Sequence, residues 1–182
     1  MHQSIISLVV LGLTAEVALA ASIGESQAKS FAETYSSFCV KHAGNFDALR
    51  EKLKQTTPLS ADKAAVFLSG KSGDAWPIPV QQGPLVLTLP RDQSRCSVHM
   101  QGVDSKVLTK QFANLVSKAP YPMLAKQVRS DKQQMLDQGG VQTVSYEWSA
   151  PNSPHKMVFT LTTDKEKNEP RQAQGSVAIL PL

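Results

Sequence analysis

Ser60-Ala61-Asp62-Lys63 sets a hydroxyl and an amine three residues apart. This is the S-x-x-K spacing in which one helical turn lets a lysine activate a serine for acyl transfer. The partner motifs S-D-N and K-T-G are absent from the chain. Ser60 also stands where a helix N-cap is expected, so capping is the preferred reading of the hydroxyl. Ser60 and Lys63 remain the catalytic candidates the sequence offers. There is no G-x-S-x-G elbow, and His42, His99 and His155 have no H-x-H, H-x-x-x-H or H-E-x-x-H relation.

Cys39 and Cys96 are the two cysteines, and each precedes a histidine by three residues, His42 and His99. Two C-x-x-H pairs could supply a Cys2His2 zinc site. Cys39 reads as helical, where residues three apart share a face. Cys96 reads as strand, where they point to opposite faces and His99 could not join Cys96 on one metal. A disulfide between Cys39 and Cys96 is the favoured reading, with zinc and a free thiol as alternatives. No metal and no cofactor is expected. Trp76, Tyr146 and Trp148 offer stacking surface with a polar handle and are the candidate binding residues, although such side chains more often build core.

The elements that must position these groups follow from periodicity. Ala28, Phe31, Tyr35, Phe38 and Cys39 recur at three- and four-residue steps, one apolar stripe of a helix. Gly44-Asn45 breaks it, and Asn45 can cap a second helix carrying Phe46, Leu49 and Leu53. A third helix is expected over Ala61–Leu68, stopping at Gly70. Residues 70–84, with Gly70, Gly73, Pro77, Pro79 and Gly83 around Trp76, read as a loop. Strands are expected at 85–89, 95–100, 123–135, 141–148, 157–161 and 174–180, with a turn at Asp137–Gly140 and a helix inserted over 106–118. The expected fold is α+β: an antiparallel sheet of five or six strands with the N-terminal helices and the inserted helix packed on one face.

Compartment is written at the amino end. Ile5 to Leu13 is an apolar run closed by Ala18-Leu19-Ala20, small residues where signal peptidase needs them. The run is roughly ten residues against the about twenty that span a bilayer. Residues 1–20 are therefore expected to be a cleaved signal peptide and 21–182 a single α+β domain, with no membrane anchor after cleavage. The residue directly after the cleavage point is Ala21, not a cysteine. Glu16 leaves with the leader, so 19 basic residues face 14 acidic ones, a balance of +5. Those charges are dispersed and lack interleaved stacking aromatics, which argues against a nucleic-acid partner.

Phe38-Cys39, Pro58-Leu59-Ser60, Gly73-Asp74-Ala75-Trp76-Pro77, Ala119-Pro120, Ser145-Tyr146-Glu147-Trp148 and Phe159-Thr160-Leu161-Thr162-Thr163 occur in that order. In this the mature chain resembles a family of small uncharacterised exported proteins and lipoproteins of Gram-negative bacteria. The resemblance implies an envelope location and brings no catalytic residues. Many members carry a lipobox, which this chain lacks. The expected function is that of a non-enzymatic, soluble interaction protein, periplasmic or secreted: an inhibitor, an immunity factor or an accessory of an envelope or secretion apparatus. Its partner would be another envelope or secreted protein, met through the sheet face or the Trp76 loop. The alternatives are an envelope hydrolase with an unrecognised site, or a small-ligand or glycan-binding module.

Overall fold

The computed structural model of the chain describes residues 13–81, 83–134, 140–164 and 172–182, with side chains from residue 23 onward except at 132–134. Helix α1 (Leu13–Thr34) continues into a π-helical segment, Tyr35–Val40. Then come α2 (Phe46–Leu53), α3 (Ala61–Leu68), β1 (Gly73–Ile78), β2 (Leu85–Pro90) and β3 (Arg95–Met100). Helix α4 (Ser105–Val116) leads to β4 (Leu124–Gln134), β5 (Gly140–Ser149), β6 (His155–Asp164) and β7 (Ala173–Pro181). The expected cleavage point after Ala20 falls within α1. Most of the expected Asp137–Gly140 turn lies outside the described residues.

The strands form one antiparallel sheet in the order β1-β2-β3-β7-β6-β5-β4. The α+β class is as expected, but the sheet has seven strands rather than five or six. The additional strand is β1, in the segment read as a loop. Its glycine and prolines mimic a linker, yet each has a place in an edge strand. Pro77 withholds a donor that the edge leaves unpaired. Gly73 lies so close to β2 that a Cβ there would stand 2.6 Å from the Leu89 carbonyl oxygen. Trp76 consequently sits in a strand, 4 % exposed and registered against Leu87.

One core runs across the sheet. Phe31, Tyr35 and Cys39 on the N-terminal helix meet Leu108, Phe112 and Val116 of α4 and Leu87, Val98, Phe159 and Val177 of the sheet. Gly175 lets the tip of the Phe31 ring approach β7, where an added Cβ would come within 2.7 Å of Cζ. The helices do not all pack on one face. Ala64 and Leu68 of α3 cluster with Ala75 and Val86, which alternate with Trp76 and Leu87 and therefore point to the opposite side. A strand such as β2, buried at all six positions, needs a cover on each face, and α3 is the second cover.

Beyond α3 that second face carries a cross-strand row of hydroxyls: Thr88, Ser97, Ser176, Thr160 and Ser145. Ser145 and Thr160 hydrogen-bond at 3.0 Å.

Cys39 and Cys96 are joined in a disulfide, Cα atoms 5.3 Å apart, tying the π-helical segment to β3. Both are fully buried. Asn45 caps α2 as expected, its Oδ1 accepting from Ala48 N at 2.9 Å. Ser60 occupies the N-cap position of α3, but its side chain makes no capping bond. Asp104 caps α4 through two amides at 2.9 Å.

Tyr35 is fully buried and its hydroxyl donates to the Ser176 carbonyl at 2.6 Å. Burial pushes the phenol well above the ordinary tyrosine value. Below about pH 10 both folded and unfolded chains keep this proton, and the group adds no pH dependence. Above it the unfolded chain releases the proton first, so stability falls by up to about 1.4 kcal/mol per pH unit until the folded value is reached. Urea midpoints measured from pH 8 to 11 should decline more steeply in the wild type than in Tyr35→Phe. Equal slopes would remove Tyr35 as the cause.

Candidate functional site

The sequence-derived candidates disperse. Ser60 and Lys63 both lie exposed on the first turn of α3. Among the described residues no hydrogen bond joins hydroxyl to amine. The pair therefore lacks the contact and the enclosure that nucleophilic activation needs. The disulfide consumes both thiols of the zinc alternative. His42 Nδ1 donates to the Phe38 carbonyl at 2.9 Å, and His99 Nε2 lies 3.1 Å from Thr88 Oγ1 in the buried sheet. His155 is exposed at the start of β6.

Trp76 and Trp148 are five strand spacings apart, on the order of 24 Å measured along the sheet. The three aromatics therefore share no single site. Both tryptophans belong to the core, with half-buried Tyr146 packed against it. Trp148 is held by two contacts: Nε1 donates to the Val116 carbonyl at 2.7 Å, and its ring lies 4.4 Å from that of Phe159. Trp148 opens onto a cavity.

That cavity is a cleft of about 260 Å³ at one end of the core face. Its floor is a cross-strand row set by register, Trp148 beside Met157 and Met157 beside Ile179. Met123 and Phe46 close the sides. Two turns shape the rim. Asn45 fixes the entry to α2, while the Ala150–Pro154 turn, with Asn152 at φ 61° and Ser153 N bonded to Ala150 O, presents Ser153 and His155. Lys156 of the rim is ion-paired with Glu147. Apolar walls with a few convergent polar groups suit a ligand side chain, and thioethers adapt to its shape.

Across Gly44, Asn45, Phe46 and Ser94, which line both, the cleft adjoins a polar hollow of about 420 Å³. Its charged residues are Asp47, Arg50, Arg91 and Asp92. Asp74 Oδ2 accepts from Arg50 Nε at 3.1 Å and Oδ1 from Arg91 at 3.0 Å. Arg50 also donates to Asp47 and to the Leu89 carbonyl, so it is spent on structure. Arg91 is paired with Asp74 as well, but its side chain is 65 % exposed and so keeps donors open to solvent.

Of the apolar floor the sequence singled out Trp148, while Met157 and Ile179 carry no motif that would have marked them. Met123, Trp148, Met157 and Ile179 come from four segments that only the sheet brings together. No family model matches the chain and no curated protein matches it, so the cleft is interpreted from its own residues.

Proposed function

We propose that this chain is a non-enzymatic binding protein of an exported compartment, periplasmic or secreted. It holds a segment of another envelope or secreted protein in the cleft beside Asn45. An apolar side chain would enter over Trp148, Met157 and Ile179, while a polar or acidic neighbour would face Arg91. The observation that carries this reading is the junction of an apolar cleft with a polar hollow along one turn. A formal net charge of +4 favours encounter with acidic partners.

The buried disulfide and the leader pattern of residues 1–20 support the compartment, as does the resemblance to exported Gram-negative proteins. No described helix is long and apolar enough to cross a membrane. Trp76 is removed from the contact surface, because it is buried in β1.

Site-specific photocrosslinking in the producing cell tests the reading. A photoreactive residue placed at Ala150 or at Asp92, on the two halves of the cleft, should give the same discrete protein adduct. One placed at Lys63, exposed on the far side of the sheet, should not. Equal adducts from all three positions, or none from Ala150 and Asp92, would overturn it.

A further inference from the structure

Behind the carboxyl end of α3, on the face opposite the main core, lies a second and smaller recess of about 50 Å³. Its lining includes Arg95 and Lys71, the hydroxyl residues Ser69, Ser97 and Thr88, and Gln93, but no aspartate or glutamate. Two of these residues carry an unusual feature. Arg95 Nε and Gln93 Oε1 are shut off from solvent, yet neither has a hydrogen-bond partner among the described residues. A buried polar atom left without a partner costs about 1–3 kcal/mol, more when the group is charged. Two such atoms on residues lining one small recess point to a group that both would bind. The amide of Gln93 can turn by half a rotation, exchanging its oxygen for a second donor.

We propose that this recess is a binding site for a small oxyanion, held by the Arg95 guanidinium and the Gln93 amide with the exposed Lys71 ammonium at its rim. The volume suits a single phosphate, sulfate or carboxylate group. A guanidinium with no facing carboxylate is the side chain best matched to such a group, because its forked donors meet two oxygens at once. The helix end beside the site would oppose an anion if its last carbonyls were free. Two of them are occupied, which lessens that opposition: Ala65 O accepts from Ser69 N and Gly70 N, and Leu68 O from Lys71 N. The site lies on the other side of the sheet from the Trp148 cleft, and only Pro90 and Gln93 also line the polar hollow.

The test is titration of the purified full chain with sodium phosphate, sulfate and acetate, read by the 15N-edited resonance of Arg95 Nε–H. Sodium chloride at matched ionic strength is the control. A saturable shift with at least one oxyanion, weakened about tenfold or more in Lys71→Gln, is the expected result. Lys71 is exposed, so that variant leaves the fold intact. Arg95→Gln should in addition abolish the rise in thermal midpoint that the same anion gives the wild type. Binding of phosphate or sulfate with acetate inert assigns the site to a free inorganic anion. Acetate binding as tightly assigns it to a carboxylate. An Nε–H resonance that does not shift, as it would with water alone in the recess, overturns the proposal. A shift that chloride reproduces overturns it as well.

Discussion

Reducing the Cys39–Cys96 disulfide, or replacing it in the double variant Cys39→Ala/Cys96→Ala, should lower stability by about 4 kcal/mol. The two residues lie 57 positions apart, and closing a loop of that length restricts the unfolded chain by about this amount on the entropy model. The folded state gains little freedom in return, because both sulfurs sit at zero exposure between the π-helical segment and β3. A chain of this size shifts its thermal midpoint by roughly 2–4 °C per kcal/mol, so the fall should be on the order of 8–16 °C. Thermal scans with and without reductant, paired with a thiol count that proves reduction, measure it directly. A fully reduced protein with an unmoved midpoint would show that the helix holds to the sheet without the bridge.

Trp148→Ala should cost about 3–5 kcal/mol, the usual range for deleting a buried indole. Two losses contribute. The contact with Phe159 goes, and the carbonyl of Val116 at the end of α4 is left without its donor. Trp148→Phe separates them, since it keeps a ring against Phe159 but abandons the carbonyl, at about 1–3 kcal/mol. Urea midpoints of the two variants read the difference. If the alanine variant loses no more than the phenylalanine one, packing of the indole is not what joins α4 to the sheet. Because the same ring floors the cleft, Trp148→Phe is also the variant in which to examine partner binding without unfolding the site.

What the sequence made legible is what short range dictates. The stripe from Ala28 to Cys39 and the cap at Asn45 depend on neighbours within a turn or two, and both stand in the structure. The cysteine pairing was legible because a chain with two cysteines leaves each a single possible partner. β1 was hidden because Gly73 and Pro77 are turn formers by composition. Their strand role depends on Leu89 and on an edge position that only the sheet defines. The placement of α3 was hidden for a related reason. An amphipathic helix shows which of its sides is apolar but not which side of a sheet it will cover. The hint lay in Leu85-Val86-Leu87, apolar at consecutive positions, which implies burial on both faces. The cleft and the Arg95 recess are assembled from segments far apart in the chain. No local spacing records them.

The strand order has a bearing on how the molecule comes together. β7 lies between β3 and β6, so the sheet's two parts, β1-β2-β3 and β6-β5-β4, touch each other only through it. Each part can pair internally from neighbouring segments, but their union waits for residues 173–181, synthesised after both. Such late, long-range closure makes for slow assembly. A chain emerging amino end first passes through a stage with the open flanks of β3 and β6 both unpaired, the kind of edge that invites association. Cys39 and Cys96 both precede β7, so their bond can fasten the helix to β3 during that wait and shelter one half of the core before the other arrives.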